Sequence, residues 1–143
     1  MIQRDFIMRI LQEFFEAIAK VVRQKPGIEP DLSQMQKRFN SMYEQFFKSP
    51  AQYFYETEKE IILESMENEG YSENDTLAKA QMLSELLYQD ALIKVSIPER
   101  CELLEKSLFL LEYLDSNSKT FSWDRNQRIA DIKRILTEFN ALI

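Results

Sequence analysis

The sequence predicts an all-α protein of about six amphipathic helices, arranged as stacked antiparallel hairpins with a repeat-like character or as an irregular bundle. Three observations lead to this class. Glycine and proline together number only six in 143 residues. Apolar residues recur at spacings of three and four instead of two, and no run alternates as a strand would. With 45% hydrophobic and 29% charged residues, the chain is expected to form one domain over 1–143 with an adequate core, and a subdivision, if there is one, falls near 70–75. Disordered and collagen-like classes do not fit this composition.

Each helix has its own signal. In the first, Phe6, Ile7, Ile10, Leu11, Phe14, Phe15, Ile18, Val21 and Val22 form a broad apolar stripe that ends at Pro26-Gly27. A second starts near Asp31, an N-cap residue, and carries Leu32, Met35, Phe39, Met42, Tyr43 and Phe46 until Ser49-Pro50 interrupts it. From Pro50 the pattern predicts one helix through Ile61, Ile62, Leu63 and Met66, stopped at Asn68-Glu69-Gly70, where glycine can adopt the left-handed cap. Ser72 or Asn74 caps a fourth helix bearing Leu77, Ala80, Leu83, Leu86, Leu87, Ala91 and Leu92, and a turn follows at Val95-Ser96. Ser96-Ile97-Pro98-Glu99 is a capping box with proline in the first turn, which starts a fifth helix through Leu103, Leu104, Leu108, Leu111 and Leu114. Asp115 to Phe121 reads as a loop, and Ser122 then caps a last helix with Trp123, Ile129, Ile132, Ile135, Leu136 and Phe139. Helices joined by short polar turns fold back antiparallel.

Composition also removes whole classes of chemistry. There is no histidine, which excludes Ser-His-Asp, Cys-His and H-E-x-x-H sites. The single cysteine, Cys101, can form neither an internal disulfide nor a thiolate-rich zinc site, and a reducing cytoplasmic setting is expected. Two glycines, Gly27 and Gly70, cannot compose a phosphate-binding loop. No cofactor is expected. The net charge of −6 and pI near 4.8 disfavour nonspecific nucleic-acid binding. Arg4, Asp5, Arg9, Glu13 and Glu16 break up any apolar leader segment, and no run reaches the roughly 18 apolar residues of a membrane span.

The acidity is concentrated. In residues 56–75 eight carboxylates oppose only Lys59, a net of −7, so the rest of the chain sums to +1. On a helix Glu60, Glu64 and Glu67 share a face and repel one another, a cost that a basic partner or a cation would reverse. The functional reading is an acidic docking face; the plain one is a solvated helix surface. Just upstream, Phe46, Phe47, Tyr53, Phe54 and Tyr55 place 5 of the chain's 17 aromatics in ten residues. They cannot all face one side of a helix, so Tyr53 and Tyr55 are candidates for a binding rim, with core packing as the alternative.

The wide stripe of the first helix suits docking within the domain or a homodimer contact. Its polar face mixes Glu13 and Glu16 with Arg9, Lys20 and Arg23, which is too little net basic charge for a membrane-surface helix. Cys101 reads as a packing residue. Trp123 reads as an anchor for the last helix, with ligand stacking as the alternative.

Two stretches resemble known families. The fourth and fifth helices, with the second of the type E-x-x-x-L-L-E-K-S-L-F-L-L, resemble a tetratricopeptide unit: Leu87 and Leu104 take apolar signature positions and Ser107 the small one. Tyr88 stands where that repeat prefers glycine, Arg100 where it prefers alanine, no proline closes the unit, and the chain holds no second copy. The opening MIQRDFIMRILQEF, with Arg4, Asp5 and Phe6 as a basic-acidic-aromatic motif, and the later ERCELLEKSLFLLEYLD resemble a family of small, uncharacterised bacterial helical proteins. That resemblance implies a bacterial cytosolic protein with an α-helical fold and carries over no catalytic residue.

The expected function is a non-enzymatic protein-interaction or scaffold module of unknown pathway, with an unknown protein partner that is basic if the acidic segment is its docking face. A structural homo-oligomer is the first alternative. An enzyme that holds a divalent metal between carboxylates of facing helices is the second.

Overall fold

The computed structural model describes residues 4–23, 25–69 and 72–142. Seven helices, and no strand among the described residues, run in the order α1 Arg4–Val22, α2 Leu32–Phe47, α3 Ala51–Glu56, α4 Lys59–Glu67, α5 Glu73–Leu92, α6 Ile97–Asn117 and α7 Trp123–Asn140. The all-α expectation holds, and the helix count rises by one because the helix predicted from Pro50 to Gly70 is two.

The capping chemistry read from the sequence is present at four helix starts. Asp31 Oδ1 accepts from the Gln34 amide at 3.0 Å, Ser72 Oγ from Asp75 at 3.2 Å, Ser96 Oγ from Glu99 at 3.4 Å and Ser122 Oγ from Arg125 at 3.1 Å. Each satisfies one amide that a helix start otherwise leaves without a partner. Gly27, in the turn after α1, has φ +78°, a conformation that side chains with a Cβ rarely adopt. The proposed cap at Gly70 lies outside the described residues.

Helix α5 is the centre of the molecule. It packs against α1, α2, α4 and α6, and it is buried on almost every side, from Ala78 and Ala80 through Met82, Leu83, Leu86, Leu87 and Ala91. Tyr43 on α2 meets Asp90 while Gln36, two turns earlier, meets Lys94 just beyond α5, so α2 and α5 run antiparallel. α6 returns along α5 after a short turn, with Ser107 Oγ donating to the Ser84 carbonyl at 2.7 Å, a close approach that a larger residue at 107 would block. α7 returns along α6, tied by Arg125 to Asp115 at one end (3.1 Å) and by Arg100 over the Phe139 ring at the other.

The aromatic run packs into this frame. Phe14 of α1, fully buried, meets Phe46 edge-on with ring centroids 5.2 Å apart, and Tyr43 stacks on Phe54 at 5.2 Å. Such pairs add about 0.5–1.5 kcal/mol beyond the area they bury. The stripe of α1 is spent inside the domain: Ile7, Phe14, Ile18 and Val21 are buried, leaving Phe6 and Met8 exposed.

Two boundaries and one anchor depart from the sequence reading. The predicted loop from Asp115 begins only at Ser118: α6 runs through Asn117, the Ser118 amide closes it on the Leu114 carbonyl, and Asp115 pairs with Arg125 from within the helix. Trp123 does not anchor α7: it is 71% exposed, and Ile132 supplies the buried contact. The third departure is the break between α3 and α4. Thr57 and Glu58 are extended, with ψ 136° and 146°. Opposite the break, the buried Lys106 of α6 directs its ammonium at the Phe54 and Tyr55 carbonyls, 2.8 and 2.9 Å away. A cation on the last carbonyls of a helix is favourable.

Candidate functional site

α4 is short and two-sided. Ile62 and Met66 are buried against α5 and α6. At 100° per residue Glu60, Glu64 and Glu67 fall on the opposite side, and all three are exposed. The cations nearest in sequence are engaged elsewhere: Lys59 lies over the Phe109 ring at 5.8 Å, and Lys79 pairs with Glu69 at 2.7 Å. Among the described residues no ion pair reaches Glu60, Glu64 or Glu67. The helix therefore presents three aligned, uncompensated carboxylates, with Ile61, 49% exposed, beside them.

The two candidate tyrosines part company. Tyr53 is half-buried at the edge of this face, its ring edge-on to Phe54 and its hydroxyl 3.4 Å from Ser65 Oγ on α4. Tyr55 turns inward. Its hydroxyl donates to Asp90 Oδ2 at 2.5 Å and lies 3.0 Å from Lys94 Nζ and 3.1 Å from Gln36 Nε2, both of which donate to it. The Tyr55 hydroxyl is thus committed within the fold and does not serve as an exposed anchor.

These contacts belong to a buried polar network that the sequence reading missed. Asp90 is fully buried. Its Oδ2 accepts from both Tyr55 and Tyr43, the latter at 2.8 Å. Its Oδ1 faces Lys94 Nζ at 3.2 Å as an ion pair without aligned hydrogen-bond geometry. Lys94 also donates to Gln36 Oε1 at 2.7 Å and lies over the Tyr55 ring at 4.5 Å. Burial and the Asp90 carboxylate push the Tyr43 and Tyr55 phenols well above their ordinary range, so both remain donors at neutral pH. Four parts of the chain, α2, α3, α5 and the turn after α5, are joined through one carboxylate, and α3 is thereby fixed next to the acidic helix.

Burial and Glu105 push the Cys101 thiol up, away from the thiolate that nucleophilic work needs. Among the described residues no group of three Asp, Glu or Cys converges as a metal-ligand set. An open groove of about 460 Å³ between α1 and α2 is lined by Glu13, Glu16 and Lys20 of α1 and by Lys37 and Arg38 of α2, charges of both signs. No helix among the described residues is long and apolar enough to cross a membrane. No family model matches the chain, and neither the curated proteins nor the solved structures include a match.

Proposed function

We propose that this protein is a non-enzymatic helical interaction module that docks a basic protein partner on the exposed face of α4, with Glu60, Glu64 and Glu67 as the charged contacts and Tyr53 at the rim. The observation that carries the reading is the alignment of three carboxylates without a compensating cation. Their mutual repulsion in the free protein becomes attraction when a basic segment approaches, which favours association and raises its rate. The Asp90 network supports the same reading, since a docking face is most effective when its backbone is held in place before the partner arrives. The α5–α6 hairpin, similar to a tetratricopeptide unit, is the scaffold in this reading, and a cytoplasmic, bacterial setting goes with it.

The test is a tagged pull-down from native lysate, analysed by mass spectrometry and run beside a variant carrying Glu60→Lys, Glu64→Lys and Glu67→Lys, whose folding is checked by circular dichroism. A stoichiometric partner lost in the folded variant supports the reading. A partner retained by the variant removes α4 as the docking face. A second reading, a structural homo-oligomer, draws on the exposure of Phe121 (76%) and Trp123 (71%) at the α6–α7 turn; light scattering during gel filtration decides it by whether mass rises with concentration.

A further inference from the structure

An α-helix pairs each carbonyl with the amide four residues ahead. If residues 51–67 ran as one helix, the Phe54 carbonyl would take the Glu58 amide and the Tyr55 carbonyl the Lys59 amide. In the structure both carbonyls are occupied by Lys106 Nζ instead. The tight turn of hydrogen bonds stops at Thr57, whose amide reaches Tyr53 at 3.0 Å, and restarts from the Glu58 carbonyl, which accepts from Ile61 and Ile62. The side chain of Lys106 is 7% exposed, and its carboxylate neighbour Glu102 lies 3.9 Å away and is largely in solvent. The ammonium therefore depends on those two carbonyls for its solvation. A continuous helix would return both carbonyls to backbone amides and leave the buried cation to share them, so the break favours the charged lysine and the lysine favours the break.

We propose that Lys106 is a latch: its contact with the Phe54 and Tyr55 carbonyls keeps 51–67 broken and α4 docked, and withdrawing it lets the segment join into one helix that carries the Glu60, Glu64 and Glu67 face, with Ile62 and Met66, off α5 and α6. The sequence permits the joined state: Ala51 to Glu67 contains no glycine or proline, and β-branched Thr57, Ile61 and Ile62 lower helix propensity without forbidding it. The broken state is favoured by the burial of Ile62 and Met66 and by the latch. Burial draws the Lys106 amine below its ordinary range, with Glu102 opposing, in keeping with a cation held there by few partners. The inference stands on backbone geometry and does not depend on what α4 binds.

Three measurements on the full chain test it. In Lys106→Met, which keeps the length and apolar stem without the donors, the ¹³C shifts of Thr57 and Glu58 are expected to move from extended to helical values, and the Glu58 and Lys59 amides to gain at least tenfold protection from hydrogen exchange. A folded variant that keeps extended shifts and unprotected amides overturns the latch, since packing alone then sets the break. In Thr57→Ala/Glu58→Ala, with Lys106 intact, residues 57 and 58 are expected to stay extended; a helical result shows that local propensity makes the break and also overturns the proposal. If Lys106→Met does not fold, the wild-type ammonium signal decides: exchange with water far slower than that of exposed lysines supports the latch, and equal exchange defeats it.

Discussion

The Tyr43 hydroxyl lies 2.8 Å from Asp90 Oδ2, between two residues 47 positions apart, and neither group meets water there. A phenol and a carboxylate buried together in this way bind α2 to α5 more specifically than apolar contact does, because a shift of one residue along either helix separates them. Hydrogen bonds to charged groups contribute about 1.5–3 kcal/mol. Tyr43→Phe is expected to cost an amount in that range by urea unfolding. Asp90→Ala is expected to cost more, about 3–5 kcal/mol, since it leaves Lys94 without its carboxylate and two buried hydroxyls without their acceptor. The double variant should fall short of the sum, and strict additivity would show that the pair is not coupled.

The tyrosines also set the behaviour at alkaline pH. Tyr43, Tyr55 and Tyr113 are raised, each mainly by burial, with Asp90 second for the first two and Glu67 and Glu73 adding for Tyr113. A group raised in the fold contributes stability that is complete below its unfolded value, about pH 10 for tyrosine, and that is lost as pH climbs toward the folded value. Stability should therefore fall above about pH 10. Phenolate absorbance should show Tyr43 and Tyr55 ionising only with unfolding and the half-buried Tyr113 ionising late; a single smooth titration of every tyrosine in the folded protein would contradict the burial.

Glu58 has φ −64° and ψ 146°, a backbone that proline adopts without strain, and no described group accepts its amide. The preceding Thr57 is extended, as a residue before proline prefers. Glu58→Pro is accordingly expected to stabilise the protein by about 0.4–1 kcal/mol through the unfolded chain, seen as a higher urea midpoint with an unchanged slope.

Glu64→Lys trades stability against the proposed docking. It replaces a like-charge pair with Glu60 by a favourable Glu-to-Lys pair four residues apart, worth about 0.2–0.5 kcal/mol. A small rise in melting temperature at low salt is expected, shrinking as salt is added, together with weaker capture of the partner. Unchanged capture in the more stable variant would separate α4 from binding.

The Ser96 cap is the boundary the sequence marks most plainly, and Ser96→Ala is expected to cost about 0.5–2 kcal/mol.

Much of the fold was legible because its signals are local. Ser96 and Pro98, Asp31 and Ser122 announce helix starts through groups only a few residues apart, and the heptad-like spacing of Phe14, Ile18 and Val21 announces a buried face. The acidic face was legible in the same way, since Glu60, Glu64 and Glu67 need only helical geometry to align. The break at Thr57 was not, because the group proposed to hold it, Lys106 on α6, is 51 residues from the Tyr55 carbonyl that it meets. A signal did exist for the missed network: Asp90 follows Leu86 and Leu87 at helical spacing, and Lys106 sits between Leu103 and Leu110, so each places a charge in a register otherwise reserved for the core. Such a charge requires a partner, and the partner's identity comes only from the tertiary fold.

Trp123 is the chain's one tryptophan, and it stands 71% exposed at the α6–α7 turn. An indole already surrounded by water changes its surroundings little when the chain unfolds, so its emission should begin red-shifted and register denaturation weakly. Studies of folding therefore need ellipticity or the tyrosines as their signal. The same indole is free to report events at its own end of the molecule, and a blue shift on mixing with another molecule or on self-association would be a spectroscopic marker of contact there, largely uncontaminated by changes in the core.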